Sequence, residues 1–130
     1  MSLASSIAAL AARIGFEVKT KIDASHPSVA KAWVCFGYAG SQVVIRAAYN
    51  VASVTRLGTG RYRVTFVNAM PDADYCWVAS TFKNAALLGL QRIALVRASG
   101  DTKTAQHLDV SCASSTAATD ADEINLTVFR

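Results

Sequence analysis

Arg61-Tyr62-Arg63-Val64-Thr65-Phe66 is the stretch from which the fold can be read. Tyr62, Val64 and Phe66 fall on one side, and Arg61, Arg63 and Thr65 fall on the other. This period of two belongs to a strand with one buried and one polar face. Immediately before it, Leu57-Gly58-Thr59-Gly60 carries two glycines in four residues and reads as a hairpin loop. Before that loop, Val51, Ser53 and Thr55 alternate with Ala52, Val54 and Arg56, which supplies the partner strand.

The same grammar continues in both directions. Upstream, Ala32-Trp33-Val34-Cys35-Phe36 is a dense apolar run, Gly37 to Ser41 is a turn, and Gln42 to Tyr49 is a second run. Downstream, Met70-Pro71-Asp72-Ala73 reads as a turn with Pro at its second position. Strands are then expected at Tyr75 to Phe82 and Arg92 to Ala98, with a turn at Ser99-Gly100-Asp101. Leu108, Val110 and Cys112 next alternate with His107, Asp109 and Ser111. A polar loop from Ser114 to Asp120 leads to a last strand, with Ile124, Leu126 and Val128 on one side and Asn125, Thr127 and Phe129 on the other. About eight short strands at regular spacing, with no helix-length segment between them, exclude a parallel α/β sheet and predict an antiparallel β-sandwich. Lys83 to Leu90 is the least legible segment. Its Leu87, Leu88 and Leu90 suit a loop that covers a sheet end or meets a neighbouring subunit.

The first residues follow another period. Leu3, Ile7, Leu10 and Ile14 repeat at 4-3-4 spacing, one helix seam at the heptad period. The seam continues as Val18 and Ile22, so the repeat relaxes toward a longer period. Ser2 or Ser5 can cap its start, and His26-Pro27 ends the pattern. Such a helix is too short and too Ala-rich to stand alone in water. It packs either on its own domain or, in the sharper reading, in a short parallel coiled coil with two other chains, a trimeric coiled coil, although the seam by itself does not decide between two strands and three. The expected organisation is therefore residues 1–26 as an oligomerisation or attachment helix and residues 27–130 as the sandwich.

Composition narrows the function classes. The chain has 130 residues, 52% apolar and 17% charged, enough for one domain with a core and far from the signature of disorder. The formal charge of +4 is spread over scattered Lys and Arg, without the clustered basic residues and interleaved aromatics of a nucleic-acid surface. No uncharged stretch reaches the ~18 residues of a membrane span, and Met1 to Ala12 lacks the basic flank of a secretory signal. Cys35, Cys76 and Cys112 are an odd number without a close pair, which speaks against a disulfide framework or a zinc site. Each lies in an apolar stretch, which suits buried free thiols in a reducing cytoplasm.

The search for chemistry returns turns and cores. His26 precedes Pro27 in a linker. His107 and Asp109 share a strand face, a base or metal pair without a third member. Asp72 with Asp74, and Asp120 with Asp122 and Glu123, are the carboxylates a glycoside hydrolase would need, but both groups sit where Asp favours turns. The acidic group lacks the spacing of a calcium loop, and Gly58-Thr59-Gly60 lacks the rest of a phosphate loop. Asn125-Leu126-Thr127 is a formal glycosylation sequon inside a strand. Trp33 and Trp77 read as core or subunit interface, and Tyr38, in a turn, is the aromatic to keep as a ligand contact. No catalytic, cofactor or metal residue is assigned, and the chain is not read as an enzyme.

Three stretches then carry a likeness. They are Lys31-Ala32-Trp33-Val34-Cys35-Phe36-Gly37, then Val44 through Thr55, then Gly58-Thr59-Gly60-Arg61-Tyr62-Arg63-Val64-Thr65-Phe66 followed by Asn68 through Tyr75. Together they resemble a pattern of phage and prophage tail-fibre tip domains whose gist is KAWVxF, IRxSYNVSSVT and GTGxYxVxFxxAMPDAxY. Glu123 to Arg130 resembles the last strand of the same modules. The likeness covers roughly Lys31 to Arg130 and is strongest to Tyr75. It implies a homotrimeric β-structured tip on a virion, made in the host cytoplasm, that works with other virion proteins and contacts a host glycan or protein. It brings no fixed set of binding residues. The chain departs from the pattern in lacking a visible shaft, which leaves tail, baseplate or capsid as the attachment point. It departs again over Thr81 to Ala118, taken as the second sheet, where receptor loops are expected to diverge. The alternatives are a capsid decoration or cement protein, a carbohydrate-binding module, and a polysaccharide-degrading enzyme.

Overall fold

The computed structural model describes residues 2–84 and 94–130. One helix, α1 (Leu3–Lys21), precedes eight strands: β1 (Ala32–Ala39), β2 (Gln42–Tyr49), β3 (Val51–Gly58), β4 (Arg61–Phe66), β5 (Cys76–Phe82), β6 (Ala94–Val96), β7 (His107–Ala113) and β8 (Glu123–Phe129). The strands form two antiparallel sheets, one ordered β2-β1-β8-β5 and the other β3-β4-β7-β6. We call them sheets A and B. The mainly β, eight-stranded architecture expected from the alternation is the one observed.

The core lies where the alternating residues of the two sheets meet. Val34 and Phe36 of β1 and Ile124, Leu126 and Val128 of β8 face Tyr62 and Val64 of β4 and Leu108, Val110 and Cys112 of β7, and all of these are buried. Phe36 and Tyr62 meet edge to face across the sheets at 5.3 Å, and Phe66 and Tyr75 do the same at 5.7 Å, the arrangement ring quadrupoles favour. Trp77 packs against this core from β5. Trp33 does not, because it pairs with Thr127 on the outward side of sheet A and is 39% exposed.

Three connections fix the topology. Gly40 and Ser41 both have positive φ (59° and 64°) and join β1 to β2 in a two-residue turn, the geometry that matches strand twist. Tyr38 therefore belongs to the end of β1, not to the turn as its neighbouring glycines had suggested. Asn50 (φ 54°) turns the chain from sheet A into sheet B. Its amide nitrogen donates to the Lys31 and Asn68 carbonyls and its amide oxygen accepts from the Asn68 N–H. Asparagine tolerates the left-handed region, and here its side chain satisfies the corner's backbone groups as well. Gly60 (φ 68°) closes the β3–β4 hairpin.

The strand directions sort the connections into two ends. Lys31 N–H donates to the Val128 carbonyl, so the start of β1 lies beside the end of β8. The linker from α1, the Asn50 corner, residues 67–75, residues 97–106 and Arg130 share this near end. The β1–β2 turn, the β3–β4 turn and residues 114–122 share the far end.

Several boundaries differ from the sequence reading. The helix stops at Lys21, before His26-Pro27, because Ile22 leaves helical geometry (φ −133°, ψ 81°). Ser2, rather than Ser5, is the cap, and its Oγ accepts the Ser5 N–H at 3.2 Å. Of the strand expected at Arg92 to Ala98, Ala94–Val96 is strand and Arg97 and Ala98 are not, while Arg92 and Ile93, with Leu87, Leu88 and Leu90, lie outside the described residues. The stretch from Thr81 to Ala118 is not a second sheet of its own: β5 joins sheet A and β6 and β7 join sheet B.

Candidate functional site

Among the described residues, no strand packs against the apolar seam of the helix. Leu3, Ile7, Leu10, Ile14, Val18 and Ile22 are between 55% and 78% exposed, and residues 3–19 are exposed throughout. A seam of large apolar residues along a helix is ordinarily covered, and an exposed one marks a candidate interaction surface. Arg13 and Glu17 flank the seam among these residues.

The far end gathers several side chains that the sequence had singled out separately. The Arg56 guanidinium lies over the Tyr38 ring at 4.4 Å. It also donates from Nε and from one terminal nitrogen to Asp120, at 3.2 and 2.8 Å. Asp120 further accepts the Gly60 N–H at 2.9 Å and the Tyr62 hydroxyl at 2.5 Å. Beside it, Asp122 accepts the Asn84 N–H at 2.6 Å, and Lys83 reaches the Asp120 carbonyl at 3.1 Å. Arg46 crosses above Gly37 to the Asp122 carbonyl at 2.9 Å. Glu123 turns aside to the Asn125 amide at 2.9 Å.

This geometry decides what Asp120 can do. Burial alone would push its carboxyl up, but the donors Arg56, Tyr62 and Gly60 outweigh that and hold it at about 2. Its lone pairs are occupied, and an acid of that strength keeps no proton to give a leaving group at neutral pH. Asp120 locks the hairpin, the 114–122 loop and Tyr62 together. Tyr38 keeps a partly exposed ring, with Arg56 as its cationic cap. An aromatic ring capped by a fixed guanidinium is a surface on which a sugar ring or a peptide can stack.

His107 and Asp109 do share the outer face of sheet B, as their alternation implied, but that face is covered. Asp109 is 1% exposed and Ser111 6%. Arg63 clamps Asp109 at 2.7 and 3.0 Å. Thr102 adds its N–H at 3.0 Å and its hydroxyl at 2.9 Å. His107 Nε2 lies 2.7 Å from that same hydroxyl. Asp101 is clamped in the same manner by Arg61, the Ser111 hydroxyl and the Ala98 N–H. These are closed ionic locks that fasten residues 97–106 over the sheet. Asp72 serves its turn through the Asp74 N–H at 2.9 Å and also binds Arg130 at 2.7 and 2.9 Å. Among the described residues, no cluster of three or more His, Cys, Asp or Glu is arranged to hold a metal ion.

The cysteines separate by environment. Cys112 is buried, and burial pushes its thiol up to about 12, so it is inert at neutral pH. Cys35 is half-buried and Cys76 is exposed. The expectation of three buried thiols fails because Cys35 and Cys76 fall on outward positions of sheet A, opposite Asn125 and Phe129.

The locks predict an acid limit. Burial opposes ionisation of Asp101 and Asp109, but the donors from Ser111, Ala98 and Arg61 on the first, and from Arg63 and Thr102 on the second, hold both below the usual range. A depressed folded value means that the unfolded chain takes up protons first. The stabilisation is therefore complete above about pH 4, the unfolded value, and is lost as pH falls toward the folded ones. Melting temperature should be flat from about pH 7 to 5 and drop steeply toward about pH 2, near the folded value of Asp120. An unchanged melt at about pH 2.5 would contradict the locks.

Arg56 and Arg46 were missed in the sequence. Arg56 sits in an alternating strand whose pattern gives it no distinction, and its partner lies 64 positions away. Comparison with protein-family models, curated proteins and solved structures returns no match.

Proposed function

We propose that the chain is a virion structural protein, a trimeric tail-fibre or tail-appendage module that engages the host surface. The observation that carries this reading is the helix α1, whose heptad seam is exposed along its length and demands company. The likeness of residues 31–75 to tail-fibre tips supplies the number of chains. Parallel helices bundled at the near end would hold three far ends side by side, each with its Tyr38–Arg56 surface, and weak individual contacts would add through avidity.

Light scattering on the purified chain tests the assembly. The full chain should weigh three copies, and the chain lacking residues 1–24 should weigh one. Adsorption tests the role: purified protein added to host cells should compete with virions for attachment, and Tyr38→Ala with Arg56→Ala should weaken the competition while the mass is kept. Antibody that decorates capsid faces and leaves the tail bare would favour a capsid cement instead.

A further inference from the structure

The outward faces of the two sheets are unlike each other. Sheet B is covered: Asp109 and Ser111 point outward from β7 and are still buried, beneath Arg61, Arg63 and residues 97–106. Among the described residues, none lies over the rows of sheet A that follow. The register sets Tyr49, Trp33, Thr127 and Val78 in one row, and Ala47, Cys35, Asn125 and Ser80 in the next. Cys76 opposite Phe129 borders these rows on the near side. Tyr49 is 52%, Trp33 39% and Val78 58% exposed. Neither row contains a charged side chain.

We infer that this outer face of sheet A is the surface through which the three copies of the chain meet, an inference that rests on the trimeric reading above. A second copy is the occupant that the composition favours. Identical faces brought together repel if they carry charge, and the charged strand residues of sheet A, Arg46 and Glu123, lie outside these two rows and are held by the Asp122 carbonyl and the Asn125 amide. The chain also links the two apolar surfaces directly, because α1 runs through residues 22–31 into β1, an inner strand of sheet A.

Area agrees. Four strands ~4.8 Å apart and ~23 Å long present roughly 400 Å². A stripe ~10 Å wide along a helix ~28 Å long adds roughly 280 Å². Neither reaches the ~800 Å² that each partner of a stable interface buries, but the two together come near it. A trimer held by only one of them would be weak.

The native thiols report on this face without mutation. Cys76 is exposed in the single chain, whereas Cys112 is inert. In the full-length trimer, Cys76 should react with Ellman's reagent about tenfold or more slowly than in the same chain carrying Val78→Arg, which should weigh less than three copies and keep its β-sheet circular dichroism. If Val78→Arg fails to fold, protection of Cys76 in the wild-type trimer, measured against the guanidine-unfolded chain and located by mass spectrometry, still decides. A trimer with freely reactive Cys76 and an unchanged mass for Val78→Arg would overturn this interface and leave the helix-bundled trimer standing. A wild-type monomer would overturn both.

Discussion

Gly60→Ala is expected to lower the unfolding free energy by about 2–5 kcal/mol, from backbone strain and overpacking together. The residue has φ +68°, and a Cβ there would stand 2.6 Å from the Cys112 carbonyl oxygen and 2.7 Å from that of Thr119. A side chain in left-handed geometry costs about 1–2 kcal/mol by itself. The clash adds about 1–3 kcal/mol, because both oxygens belong to backbone fixed by its own hydrogen bonds: Cys112 N–H donates to Gly60, and Thr119 N–H to Cys112. Gly40 supplies the control. Its φ is similar, +59°, but its Cβ would meet open space, so Gly40→Ala should cost only the backbone term, about 1–2 kcal/mol. Urea unfolding of the two variants separates strain from collision. Equal shifts in midpoint at equal slope would show that the collision is not felt.

Asp109→Ala should cost about 1–3 kcal/mol, because it removes a buried acceptor on which several donors converge, while Arg63, 38% exposed, can turn to water. Arg63 would lose its partner, and the Thr102 N–H and hydroxyl would lose their acceptor. The carboxylate is 1% exposed on its side chain and is held by four donor contacts, so little water can replace it. Asp72→Ala, which removes an equally short contact to Arg130, should scarcely move the melt. There both side chains are about two-fifths exposed, 39% and 42%, and surface pairs of this kind contribute little. Thermal melts of the two variants beside wild type are the check, and a large loss in Asp72→Ala with none in Asp109→Ala would reverse the assignment.

These two positions mark where the sequence is readable and where it is not. Alternation in β4, β7 and β8 announced the core side of each strand, because burial of one face imposes a period of two that local spacing displays. Asp72 was legible as a turn residue, since the N–H it accepts is only two positions on. Asp109 was placed on a polar face, and the face is polar, but its burial depends on residues 97–106 folding back across it. Arg56 and Asp120 show the same limit at a separation of 64 positions. A local window registers that a charge points away from the core, not that another segment covers it. Cys76 failed for the opposite reason. Its apolar neighbours suggested burial, but β5 is an edge strand of sheet A, and the outward residues of an edge strand are covered only if something else lies there. The helix was legible in period and cap, and its full exposure became visible only once the sandwich had closed without it.

The adjacency of β1 and β8 has a mechanical consequence. The helix joins the sandwich at the near end, at the start of β1, while Arg56 of β3 lies at the far end, so a load applied between α1 and Arg56 runs along the strands. β1 is flanked on both sides by antiparallel neighbours, with its hydrogen bonds perpendicular to the pull. Drawing β1 out would shear its bonds to β2 and β8 together, rather than open them one at a time like a zip. A sandwich attached in this orientation resists sudden load far better than its equilibrium stability alone would indicate, because rupture under force is governed by the unfolding rate.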